Sequence, residues 1–299
     1  MNKELINKYI NIIDSISITN NYDNNIKHLL YLIIPAFITK YKYKEQLILN
    51  VFKNTPIIIS NKEEKYINAY YTSIPRKIDN NITTQKYIII NNYNKISLIT
   101  LLDSLIHEYN HAINSYKNEI LIKDNTIYIR TGLTYITYYE DNLKPKEKLP
   151  SYILEEIINT KQTETIIDLI KNYQDKSNDT INNTIYAINN ETNKNYNSNA
   201  YYLETNILKP LLTNKTFIYT LESLRLEGQI DDIESWFNNI TNIKNSYQTL
   251  INDLNKLITL EKQLTEVKLF KSRIISKIKS TIKDLNYIIN IFNENSHNH

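Results

Sequence analysis

The chain has 299 residues, 41% of them apolar and 22% charged, enough length and apolar content to bury a core and to exclude a disordered tail. Its 35 basic and 32 acidic residues are well mixed and leave a net charge of +3, which excludes an electrostatic footprint for nucleic acid. No Cys is present, so disulfides and thiolate metal sites are excluded and any metal must be held by His, Asp or Glu.

The first 55 or so residues read as two or three helices, with Leu29, Leu30, Ile33, Ile34 and Phe37 forming an apolar face. Met1 to Ser15 is amphipathic and carries Lys3, Glu4, Lys8 and Asp14, which is not the pattern of a signal peptide. The longest apolar run, Leu29 to Thr39, contains Pro35 and is too short to span a bilayer. A cytoplasmic location with no membrane partner is the expectation. From 56 to 93 the texture changes to β-type runs, Pro56 to Ser60, Tyr66 to Tyr71 and Lys86 to Ile90, separated by polar turns, which predicts a small sheet. The 25 Tyr supply most of the aromatic residues and are expected in core and surface packing rather than as stacking platforms.

Residues 96–116 have helical period, with Leu98, Leu102, Leu105, Tyr109, Ala112, Ile113 and Tyr116 on one broad face. This helix carries His107-Glu-Tyr-Asn-His111. Two His at i and i+4 lie about 40° apart in projection, so both imidazoles can point at one ion. Glu108 projects beside them, where a carboxylate can take a proton from a water acidified by zinc. With only five His in the chain, chance seldom sets two of them at this spacing around a Glu. The flanks Leu105, Ile106, Ala112 and Ile113 suit a buried helix, and Tyr109 and Asn110 bring no charge to the site. Of the other His, His28 lies far away in sequence, and His297 and His299 lie in the terminal tail.

A hairpin insertion is expected over 119–139, with Asp124-Asn125 as a two-residue turn and a further strand from Thr134 to Tyr139. Within it Arg130-Thr-Gly132-Leu133 reads either as a turn with close backbone approach or as an edge that binds extended peptide. After Pro145 and Pro150, Ser151 can cap a helix over 151–172, which carries Glu155, Glu156 and Glu164. A catalytic zinc needs a third protein ligand and an open position, and here the ligand should be a carboxylate. Periodicity does not choose it: Glu155 and Glu156 both fall about 130° from the apolar face of Ile153, Leu154, Ile157 and Ile158, on opposite sides.

His107-Glu-Tyr-Asn-His111 followed by a carboxylate helix resembles the gluzincin group of zincin metallopeptidases, whose third ligand is a Glu on that second helix. Aligned with their Asn-Glu-Gly-x-x-Asp pattern, the resemblance implies Glu156 as third ligand, ahead of Glu155 and Glu164. It sets Glu155 in the Asn slot, Ile157 in the Gly slot, and Asn159 and Thr160 where a polar group orients the ligands. The similarity covers about 70 residues, from the motif helix through Asn172.

Residues 173–199, rich in Asn and Thr, read as a polar loop or linker, and residues 200–299 as a helical C-terminal subdomain. Helices are expected over 201–212, 216–226, 230–243, about 246–268 and 270–293. Gly228 fits a helix end, with Asp231 and Asp232 opening the next helix. Lys268, Lys271, Arg273, Lys277, Lys279 and Lys283 read as a solvated face.

The expectation is an α+β, zincin-like protein: a metal-site region over 1–172, a linker over 173–199 and the helical subdomain. It predicts a zinc metallopeptidase with one Zn2+ per chain on His107, His111 and Glu156, Glu108 as general base, and a peptide or protein as substrate. Tyr201 or Tyr202 could donate to the oxyanion. The alternative is a non-catalytic protein whose zinc is structural and whose C-terminal helices bind a protein partner.

Overall fold

The computed structural model describes residues 3–62, 64, 67–79, 81–148, 151–173, 179–192, 201–266 and 271–296. The protein is α+β, with eleven α-helices and two small sheets among the described residues. Packing divides the chain into two compact units, Met1–Tyr116 with Asn159–Ser198, and Lys117–Ile158 with Asn199–His299.

The first unit opens with α1 (Lys3–Thr19), α2 (Asn24–Lys40) and α3 (Glu45–Asn54). Leu29, Leu30, Ile33, Ile34 and Phe37 of α2 are fully buried, as are Leu32 and Ala36, so this helix forms the centre of the packing. It starts where the Asp23 carboxylate accepts the Ile26 amide at 3.0 Å. The first sheet has the order β1-β3-β2, with β1 (Ile57–Ile59) parallel and β2 (Ala69–Ile78) antiparallel to the central β3 (Asn81–Ile90). Most of 72–85, expected as polar turns, continues these two strands. Thr, Ser, Arg, Lys and Gln on pleated backbone give no apolar alternation, and cross-strand pairing holds them instead. The chain turns at Asp79, with φ 47°. Tyr66 and Asn80 lie outside the described residues.

The motif helix α4 (Leu98–Asn114) begins at Ser97, whose hydroxyl accepts the Thr100 amide at 3.3 Å. Its inner face buries Leu102, Leu105, Tyr109, Ala112 and Ile113. Tyr109 stacks on Phe52 with ring centres 3.9 Å apart, and its hydroxyl donates to the Thr55 carbonyl at 3.3 Å. Residues 179–192, expected within a linker, form α6 (Asp179–Thr192). Ile181, Ile185 and Ile188, spaced by four and three, supply a buried stripe that the surrounding Asn and Thr mask in the sequence. Glu191 of α6 accepts the Ile99 amide at 2.8 Å, at the N-terminus of α4, where a negative charge is favourable. The rest of the expected linker, 174–178 and 193–199, lies outside the described residues.

The second unit contains a four-stranded meander, β4 (Ile120–Lys123), β5 (Thr126–Thr131), β6 (Thr134–Tyr139) and β7 (Pro145–Lys148). Asp124 and Asn125 both take positive φ, 50° and 56°, as a two-residue hairpin requires. The fourth strand was not expected. Pro145 opens it at the sheet edge, where a missing amide donor costs nothing. This meander groups with the C-terminal helices.

The helix α5 (Tyr152–Lys171) is continuous through Ile158 and Asn159, where the two units divide. It is followed, after α6, by α7 (Tyr202–Leu212), α8 (Lys215–Glu227), α9 (Asp231–Thr241), α10 (Ser246–Glu266) and α11 (Lys271–Ser296). Phe217, Trp236, Phe237 and Phe292 make an aromatic core, with Phe237 stacked on Phe292 at 4.7 Å between ring centres. As expected, α8 ends on Gly228 in the left-handed conformation, φ 72°, and α9 begins with Asp231 and Asp232. Lys271, Arg273, Lys277, Lys279 and Lys283 are exposed on α11, and Lys268 lies outside the described residues. No helix among the described residues is long and apolar enough to cross a membrane.

Candidate metal centre

One turn of α4 separates His107 from His111, and their rings meet edge to face with centres 5.0 Å apart. His111 is buried, while His107 keeps partial access to solvent. Between them Glu108 is held from outside its own helix: its carboxylate Oε2 accepts the Tyr71 backbone amide of β2 at 2.6 Å. Strand geometry explains why that amide is available. In β3 the Ile88 amide and Ile90 carbonyl turn towards β1, bonding Pro56 and Ser60. Their partners on β2, Tyr71 and Ala69, therefore turn their backbone groups to the outer edge of the sheet, where α4 packs. At the other end of the motif, the Ser115 hydroxyl donates to the His111 carbonyl at 2.5 Å and closes the last turn.

A polar seam sets α5 against α4. The Asn159 side-chain amide donates to the His107 carbonyl at 2.8 Å, and that of Asn110 donates to the Thr163 hydroxyl at 3.3 Å. The Thr163 hydroxyl in turn donates to the Asn159 carbonyl at 2.9 Å. Residue 107 thus meets 159 and residue 110 meets 163. Glu156 stands three residues before Asn159 on the same unbroken helix. One ligand atom each from His107, His111 and Glu156 all lie within 4.8 Å of one another.

The neighbouring carboxylates have other partners. Glu155 is fully buried in an ion pair with Arg225, while Glu164 is exposed and pairs with Lys161 at 2.8 Å. His28 lies on α2, stacked on Tyr31, and His297 and His299 lie outside the described residues.

These donors fit zinc. Ligand atoms about 2.1 Å from one Zn2+ are at most about 4.2 Å apart, so small side-chain rotations close the observed separation. Two imidazole nitrogens and one carboxylate oxygen are a usual zinc set, and the partial exposure of His107 and Glu156 leaves a side open to water. Burial, and then the charges of Glu156 and Glu204, push the Tyr201 hydroxyl up to about 12, so it stays protonated at neutral pH as a donor near Glu156. Tyr202 is exposed.

The hairpin residues resolve towards packing. Arg130 is fully buried and donates to the backbone carbonyls of Lys117, Gly132 and Arg225, which removes it from any exposed peptide-binding edge. Sequence reasoning missed two groups at the site. The Tyr71 amide is backbone and leaves no trace in residue type, whereas Arg225, a guanidinium in an otherwise apolar helix stripe, was a readable signal. No protein-family model, curated protein or solved structure matches this chain.

Proposed function

We propose that this chain is a zinc-dependent metallopeptidase of zincin-like type, holding one Zn2+ on His107, His111 and Glu156. The observation that carries this reading is the convergence of those three donors within 4.8 Å, beside a Glu108 carboxylate directed by the Tyr71 amide. Zinc bound there would supply Lewis acidity to a water and to a substrate carbonyl. Glu108 takes the proton of the attacking water and passes it to the leaving amine nitrogen. The Tyr71 amide keeps that carboxylate beside the imidazoles through both transfers. Tyr201, protonated and within reach of the charge of Glu156, is the candidate donor to the oxygen on which negative charge develops. The substrate class is a peptide or protein.

Purified protein should contain about one equivalent of zinc and cleave members of a quenched fluorescent peptide library, with cleavage lost on chelation and restored by zinc. Glu108→Gln should keep the metal and lower kcat by roughly 10²–10⁴-fold. A protein without zinc, or a Glu108→Gln variant with full turnover, overturns the proposal. Zinc uptake without cleavage of any library member would favour the non-catalytic alternative.

A further inference from the structure

We propose that the buried Glu155–Arg225 ion pair is the positioning device for the adjacent carboxylate, Glu156, and thereby sets the affinity of the centre for zinc. The inference rests on the zinc reading of His107, His111 and Glu156.

Both side chains of the pair are fully buried, and both oxygens of Glu155 are engaged by separate elements. Oε1 takes the guanidinium of Arg225 from α8, and Oε2 accepts the Leu133 amide at 2.8 Å from the turn between β5 and β6. That turn can close over the carboxylate only because Gly132 lacks a side chain. A Cβ there would lie 2.0 Å from Glu155 Oε1, and the residue stands at φ 59°, a conformation that side chains disfavour. Arg130 then ties the parts of this socket together, donating to the carbonyls of Gly132 at 2.9 Å and Arg225 at 3.1 Å.

A buried ion pair is a poor way to gain stability, since apolar residues of the same volume often do as well or better. What it adds is direction. Hydrogen bonds at fixed angles to both oxygens hold Glu155 in one orientation, which apolar packing around Leu154, Ile157 and Ile158 enforces less strictly. Glu156 follows on the same helix, about 100° further round, so the phase of the helix at 155 sets the direction in which 156 leaves it. The socket has the form of a register pin for a ligand one residue away.

The test is zinc affinity, measured by competition with a chromophoric chelator, in folded variants checked by circular dichroism. Glu155→Gln should weaken zinc binding about 10–100-fold, as losses of ligand-orienting partners do. In the Glu156→Gln background the same change should cause no further loss, because a positioning residue acts only through the ligand it positions. If Glu155→Gln does not fold, the double replacement Glu155→Leu with Arg225→Leu keeps the volume, removes the directional bonds and should show the same weakening. Parent-like affinity in a folded variant, or an equal loss with and without the Glu156 carboxylate, overturns the positioning role while leaving the metal centre intact. A parent protein that takes up no zinc overturns the metal reading itself, and this inference with it.

Discussion

Glu155 and Glu156 are chemically identical neighbours whose surroundings could hardly differ more. One lies in a sealed socket against Arg225, and the other stands with two imidazoles at partial exposure. Their angular positions relative to the local apolar face are mirror images, so nothing in the helical period separates them. The difference comes from partners 22 and 70 residues away, Leu133 and Arg225. Gly132 makes the same point about a residue whose role looked open. Placing any side chain there sets a carbon against the Glu155 carboxylate, so Gly132→Ala should destabilise the protein by roughly 2–4 kcal/mol through overlap and left-handed strain. A chemical denaturation midpoint unchanged from the parent would show that the turn is not closed over Glu155.

The helices were far easier to read than the strands. For α4 the apolar spacing, the Ser97 cap and the uncharged positions within the motif all agree, and the observed span differs from the expected one by two residues at each end. Strands β2 and β3 were legible only where Ile and Tyr cluster, and α6 only after its three Ile proved to share a buried stripe. One element carries a pH dependence that the sequence does not advertise. On α7, burial and then a hydrogen bond with Glu261 push the Glu204 carboxyl up to about 7. A carboxyl with a raised native pKa binds more protons folded than unfolded, so its contribution to stability falls as pH rises from about 4.5 to about 7. Thermal melts should therefore show a Tm decline across that window which Glu204→Gln flattens, by about 5 °C at its ends. An identical pH profile in the variant would remove Glu204 as the cause.

For the whole chain, zinc that binds only the folded form must stabilise it by mass action. Adding a strong chelator should lower the Tm of the parent by several degrees, roughly the effect of 2–3 kcal/mol at zinc a hundredfold above Kd. The same chelator should leave His111→Ala unmoved, and an equal shift in both would place the metal effect elsewhere. The sequence by itself determined the residue types that any metal could use, the helical spacing that brings His107 and His111 to one side of α4, and the α+β class, because these follow from composition and local period. It did not determine which carboxylate stands with the imidazoles, what holds Glu108, or which strands and helices pack together. Those depend on contacts between residues distant along the chain: a β2 edge amide against Glu108, Asn159 against the His107 carbonyl, and Arg225 drawing Glu155 away. Such pairings are selected by burial and hydrogen-bond satisfaction in three dimensions, and no local window of sequence contains both partners.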